Sequence, residues 1–288
     1  MCNRLSSTSI DYNQTKNRFR ADCETCFGLC CIALPYAKTA DFAFDKDSGT
    51  PCRNLQADYR CGIHNQLRNN GFRGCTVYEC FGAGQKISQH TYNGQNWRDN
   101  PAIAKEMFDV LPIMQQLHEM LYYLHEALHF KDAHPIYEDM KIALAETERL
   151  TQLTPPALLQ LHIDEHRATI NPLLLKASEL VRSKVTSSSK LLNRQRNLIK
   201  GRDFIGVNLR GADLRGANLR GVLFIAADLR NADMRMTDLI GADLRDTDLR
   251  GTNLVGSIFL TQAQVNSANG DRTTKLPAAL NTPEHWMA

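Results

Sequence analysis

Residues 212–221 read Ala212-Asp213-Leu214-Arg215-Gly216-Ala217-Asn218-Leu219-Arg220-Gly221, the same five-residue phrase twice in succession. Working outward, a Leu, Phe or Met stands at every fifth position: Phe204, Leu209, Leu214, Leu219, Phe224, Leu229, Met234, Leu239, Leu244, Leu249, Leu254 and Phe259. Two positions before each stands a small or β-branched residue (Val207, Ala212, Ala217, Val222, Ala227, Ala232, Thr237, Ala242, Thr247, Thr252, Ser257), with Arg202 the one misfit. A period of five is neither the 3.6 of a helix nor the 2 of a strand. Strict self-similarity over so short a unit marks a solenoid, in which units stack on their neighbours and none folds alone.

On this A-D/N-L-R-G phrase the segment resembles the pentapeptide-repeat family. The resemblance implies a right-handed, quadrilateral parallel β-helix with four repeats per coil, the central residue and the small residue before it pointing inward. The repeats then make about three coils, a stub on the order of 10–15 Å tall at one strand spacing per coil, and its ends need covers.

Four repeats per coil stack residues twenty apart. Arg210, Arg230 and Arg250 form one column, Arg215, Arg235 and Val255 the next, flanked by Asn208, Asp228, Asp248 and by Asp213, Asp233, Asn253. Like charges at such spacing repel unless interleaved with the opposite sign. Residues 202–262 hold eight Arg and eight Asp, so the surface is self-neutralising. A gyrase-binding imitation of DNA, known among pentapeptide-repeat proteins, calls for a long acidic rod, which this is not. Ile205 with Ile225, and Ile240 with Leu260, form apolar sides suited to docking the helical segment or a partner.

The 288 residues allow two or three domains, and 43% hydrophobic with 23% charged residues is ordinary for a globular chain. A net charge of +3 gives no reason to expect nucleic acid or membrane binding. Neither a signal-peptide core nor a membrane-length apolar run is found, so a cytoplasmic location is expected. The chain divides into a polar tail (1–20), a cysteine-rich irregular domain (21–95), a helical segment (96–190), the repeats with a lid helix (191–262) and a C-terminal cap (263–288). Val110, Met114, Leu117, Leu121, Leu124 and Leu128 share one helical face, with Pro112 at the start of that helix or at a kink. Further helices are expected over 135–152 and, across Pro172, over 157–184. Leu191–Lys200 is expected to lid the first coil, and 260–268 with Trp286 to cap the last.

Eight of the nine cysteines lie between Cys23 and Cys80. In a reducing compartment disulfides are not expected, and metal is the alternative staple for a segment with little core. The spacing is Cys23-x2-Cys26-x3-Cys30-Cys31, then Cys52, Cys61 and Cys75-x4-Cys80. A C-x2-C step lets two thiolates reach one ion. Adjacent Cys30 and Cys31 point apart and suit two ions, or an ion and a cluster, and eight sulfurs equal two tetrahedral sites or a cluster with spare ligands. These motifs, with Arg60-Cys61-Gly62-Ile63-His64, are similar to the cysteine-cluster family described as zinc- or iron-chelating. That resemblance covers about 60 residues and implies zinc, iron or an iron–sulfur centre held by Cys23, Cys26, Cys30, Cys31, Cys52, Cys61, Cys75 and Cys80. His64 and Leu67-Arg68 replace that family's usual Tyr or Pro steps.

His125-Glu126-Ala127-Leu128-His129 is a literal H-E-x-x-H and His162-Ile163-Asp164-Glu165-His166 a literal H-x-x-E-H. No third ligand or accompanying strand is evident, and both pairs read as helix margins rather than zinc sites. The expectation is a multidomain metal-binding protein that acts through protein–protein interaction or scaffolding, with no catalytic residue assigned. The alternative is an iron or iron–sulfur enzyme of redox or modification chemistry, as in the flagellin lysine methylases that look like distant members of the cysteine-cluster group.

Overall fold

A computed structural model describes residues 18–185, 201 and 203–287. The polar tail apart from residues 18–20, the 186–190 linker and the expected lid helix over 191–200 lie outside the described residues.

Residues 203–258 wind as the five-residue period dictates. Parallel bridges join Asp203 to Leu223, Asn208 to Asp228, Asp213 to Asp233 and onward to Asp238 with Ile258, each twenty residues apart. These are single-residue rungs, and no longer strand is formed among the described residues. The reason is the corner that interrupts every repeat: Gly206, Gly211, Gly216, Gly221, Gly241, Gly251 and Gly256 all have φ between 61° and 72°. In that left-handed region only glycine avoids a Cβ penalty. Ala226, Asn231, Met236 and Asp246 adopt the same conformation at equivalent corners.

Where a repeat has Asp or Asn before its central residue, that side chain works on its own corner. Its side-chain oxygen accepts the N–H two residues on, as Asp213 does from Arg215 (3.2 Å) and Asn208 from Arg210 (3.0 Å), the turn these short side chains favour. Thr at the small position is buried with its hydroxyl satisfied: Thr247 donates to the Phe224 carbonyl at 2.8 Å and Thr252 to that of Leu229 at 2.6 Å.

Eleven of the twelve central residues, Phe204 through Leu254, form one buried core with Leu260, Val265 and Trp286. Phe259, the expected twelfth, departs from it. It is fully buried, but within the helical core, with Tyr123 and Phe130 each 5.6 Å away ring to ring. The period ends at this residue, whose own φ is +59°. Beyond it Asn269 bridges to Asp248 and Lys275 to Asn253, extending two columns of rungs.

The helical segment is built on α4 (Pro101–Ala127). Shorter elements precede it: α1 (Leu29–Ala33), α2 (Arg73–Val77) and α3 (Ala83–Lys86); α5 (Tyr137–Leu150), α6 (Pro155–Leu159), α7 (Ile163–Arg182) and α8 (Gln262–Ser267) follow. Pro101 opens α4 where its missing N–H is harmless, and Pro112 lies inside the helix rather than at its start. Met107, Val110, Met114, Leu117, Leu121 and Leu124 are its buried stripe, against which α1, α3, α5, α6 and α7 pack. Helix α8 caps the last coil, opened by a capping box between Thr261 and Gln264. Gln264 also donates to the Leu239 and Ala242 carbonyls at 2.8 Å each. No helix among the described residues is long and apolar enough to cross a membrane.

Candidate metal centre

Between Arg18 and Gly94 the backbone forms only brief helices and two-residue bridges (Tyr36–Lys46, Thr39–Phe42, Leu55–Cys61). Part of what holds it is aromatic. Tyr36 stacks on Phe42 at 4.3 Å, and Phe72 meets both Phe42 and Phe44 edge-on. Leu29 and Ile32 of α1 anchor the domain in the helical core.

The eight cysteines from Cys23 to Cys80 all lie in this domain, and none forms a disulfide. Cys26 and Cys52 are buried; Cys23 and Cys75 are exposed as residues, although their thiols are desolvated. Burial pushes Cys23 up to about 11 and Cys26 and Cys75 up to about 12, and the thiolates around each of them push the same way. Backbone N–H groups oppose this. The amides of Leu29 and Gly28 favour the charged form of Cys26, those of Gly84 and Gly82 that of Cys80, and that of Ile63 that of Cys61. A thiol is a weak acceptor, so donors aimed at sulfur favour the thiolate that a metal needs.

Gly84 shows how closely the elements meet. A Cβ there would lie 2.5 Å from the Cys26 sulfur, so a larger residue could not keep that approach. On the other flank the Tyr36 hydroxyl donates to the Cys52 sulfur at 3.3 Å, and the Cys52 N–H donates to the Cys31 carbonyl at 2.9 Å. The Cys30 and Cys31 sulfurs are 4.0 Å apart.

Lys46 is a site residue that sequence reasoning missed. It is 5% exposed, its ammonium donates to the Ile32, Thr50 and Asp47 carbonyls, and the Cys52, Cys31 and Cys30 thiolates favour its charged form against burial. Nothing in Phe44-Asp45-Lys46 distinguishes it from a surface lysine. Among the described residues no three His, Cys, Asp or Glu side chains converge at coordination geometry. His64 is exposed and follows the Cys61 turn, its N–H donating to the Cys61 carbonyl at 3.2 Å.

A cavity of about 790 Å³ opens beside the cluster, between this domain, α4 and the C-terminal cap; Cys23, Cys75, His64 and Arg68 line it. The cap side is fixed by an Arg73–Asp246 ion pair, by Arg68 donating to the Asn266 carbonyl, and by Arg245 with Asp41 at 3.5 Å.

The histidine motifs have other partners. Glu126 accepts the Phe259 N–H at 2.9 Å, and His129 Nδ1 pairs with the His125 carbonyl at 2.7 Å. His125, buried against Phe19, is lowered to about 4 by desolvation. His166 Nε2 pairs with the Thr147 hydroxyl at 2.8 Å, while His162 is exposed. Glu126 therefore supplies the acceptor for the first backbone donor past the last coil.

Pentapeptide repeats, in 8 copies, match residues 203–239 and 223–259. The uncharacterized protein YybG of Bacillus subtilis (strain 168) is 64% identical over 266 residues, which is 92% of this chain and 94% of that one. The chain belongs to one family with YybG, and its residues 203–259 are pentapeptide repeats. Two solved pentapeptide-repeat proteins are also similar to part of this chain. Rfr23 of the cyanobacterium Cyanothece 51142 is 23% identical over 29% of this chain and 51% of its own, at a TM-score of 0.18. The Nostoc Pcc 7120 protein alr5209 is 30% identical over 30% of this chain and 93% of its own, at a TM-score of 0.15. The matched repeats span 203–259, about a fifth of the chain, so the likeness to YybG extends well beyond them.

Proposed function

We propose that this pentapeptide-repeat protein is a cytoplasmic metal holder, binding zinc or iron through its cysteine domain and acting by docking a protein partner on the rigid frame of coils and helices. The observation that carries this reading is the gathering in one domain of eight cysteines, none of them in a disulfide, with neighbouring backbone amides favouring the thiolates of Cys26, Cys61 and Cys80. The residues suit thiolate-loving metals: soft donors, no disulfide among them and one buried cation nearby. Bound metal would supply cross-links that replace the core this domain lacks. Partner docking is suggested by Ile205, Leu223 and Val255, apolar side chains that stay exposed on the coils. The arginine–aspartate pairing on the coils is the reason for preferring a protein partner to DNA mimicry.

A second reading, an iron or iron–sulfur enzyme of redox or modification chemistry, is favoured by one observation, the cavity onto which Cys23 and Cys75 open. Elemental analysis of protein isolated anaerobically and kept reduced tests both readings. We expect at least about one transition-metal equivalent per chain; less would sink the metal reading. Colourless zinc protein supports the holder, and brown protein absorbing near ~400 nm supports the enzyme.

A further inference from the structure

We propose that the side of the stack carrying Phe204, Phe224 and Leu244 is the docking face, and that its occupant is a short segment of a partner protein, both apolar and basic. This rests on the docking reading above and gives the partner a place and a chemistry.

The repeat pattern supplies its own control. The two residues flanking each central residue point outward, and they are mostly Asp or Asn on one flank and Arg on the other. Two groups of positions are aliphatic instead. On the side carrying Leu219, Leu239 and Phe259 they are Ile240, Ile258 and Leu260, and there the chain's own body covers them: Ile258 and Leu260 are buried, and Ile240 packs on the helical core. On the adjoining side they are Ile205, Leu223 and Ile225. Neither buried core takes these in, and Ile205 stays 50% exposed and Leu223 38%. The same change of residue type thus occurs once beneath a docked body and once bare. Val255, the other exposed aliphatic on the coils, has Arg235 and Asn253 beside it and forms no such group.

The bare patch continues an existing interface. Leu223 bridges to Asp243, and the Ala226 N–H donates to the Arg245 carbonyl at 2.9 Å, so Asp243 and Arg245 are the next rung. The cysteine domain already holds that rung, through Arg245 with Asp41 and Arg73 with Asp246. Beside it a cavity of about 410 Å³ opens against α4, with Glu79, Gln115, Glu119, Tyr123, Asp243 and Arg245 in its wall. A segment lying on Ile205, Leu223 and Ile225 can therefore run on into the cavity.

Size and charge choose the occupant. Rungs lie ~4.8 Å apart and alternate residues of a rung ~7 Å apart, so the patch is two outward side chains wide and two rungs tall. A standard interface takes ~800 Å² from each partner. The patch is too small for a second copy of this chain and suits two or three aliphatic side chains of one segment. Its surroundings are acidic on balance. Arg245 answers Asp243 at 2.7 Å and Arg167 answers Glu119 at 3.2 Å. Asp203 at the upper rim and Glu79 in the cavity wall accept backbone N–H groups and, among the described residues, pair with no Lys or Arg. Carboxylates at both ends of the path thus favour a Lys or Arg brought from outside.

Peptide selection on the immobilised full-length protein tests this, with a random dodecapeptide display library as the probe. Enriched peptides should carry aliphatic residues beside Lys or Arg. Their affinity, read by fluorescence polarisation, should fall at least ~tenfold in Ile205→Asp and in Ile225→Asp, and should be unchanged in Arg230→Ala on the next side. Asp203→Asn keeps the side-chain oxygen that Asn208 uses at its own corner, so its effect is one of charge, and it should weaken binding about two- to fivefold. Melting temperatures show that each variant still folds. Enrichment of acidic or uncharged peptides would overturn the partner's chemistry, and peptides bound equally by both Asp variants would overturn the face. A concentration-dependent dimer abolished by Ile225→Asp would give the face to a second copy. Each of these leaves docking on the frame standing, whereas enrichment of no peptide at all defeats the docking reading as well.

Discussion

Ala226 occupies a repeat corner at φ +55°, a conformation that costs an L-residue about 1–2 kcal/mol. Its exposed position leaves little packing to lose. Ala226→Gly should therefore stabilise the repeats by about 0.5–1 kcal/mol after allowing for glycine's added freedom when unfolded, read as a rise in the denaturation midpoint. The H-E-x-x-H residues support structure instead of chemistry. Glu126→Ala should cost about 1–3 kcal/mol by stranding the buried Phe259 N–H, and His129→Ala should leave metal content unchanged; loss of a zinc equivalent in the latter would restore the protease reading. His118 adds a pH signature. Desolvation beside Phe81 lowers it from 6.5 to about 4, so the folded state keeps it neutral where the unfolded chain binds a proton. Its contribution is complete above about pH 6.5 and falls away toward pH 4, amounting to roughly 3 kcal/mol. His118→Gln should flatten that part of the stability profile.

At the scale of the element, two kinds of arginine–aspartate contact differ in span and burial, one within a repeat and one between coils. Arg230 grips Asp228 at 2.6 Å on the outer surface, where the guanidinium holds Asp228 down to about 2. Arg230→Ala should change stability by only ~0–1 kcal/mol because water screens the pair. Asp238 is wholly buried, and Arg220 meets it at 3.1 Å. Arg220→Ala should cost roughly 3 kcal/mol or more by leaving that buried carboxylate without its ion pair. Leu229→Asp, inside the middle coil, should unfold the repeats outright, since a charge there has no solvent. Melting temperatures for the four proteins separate the three cases.

The coils were legible because a five-residue period fixes inward and outward faces without reference to the rest of the chain. The coil end was not: Phe259 satisfies the period, and only Tyr123, Phe130 and Glu126, remote in sequence, draw it into the helical core. The same holds at the cysteines. Their number and clustering could be read, but Lys46 and Tyr36 enter the site through folding of an irregular segment whose letters show no period.

At the scale of the molecule, the cysteine domain is attached to both neighbours, through α1 to the helical core and through Arg73–Asp246 to the last coil. If metal replaces a missing core there, its removal should act unevenly. Amide exchange in chelator-treated protein should speed up over residues 21–82 while coils 203–254 stay protected, because the latter have a continuous core of their own.

The tie between Glu126 and Phe259 also dictates how such a chain can grow. Added repeats keep the columns in register only in blocks of twenty residues, and a block inserted after Leu254 would carry the cap one layer away from the helix that receives Phe259. The first coil has a tie of its own, Arg182 of α7 donating to the Gly216 carbonyl at 3.2 Å. A stack held at both ends by the same helical body cannot lengthen without breaking one tie, so relatives that keep both should keep the number of coils.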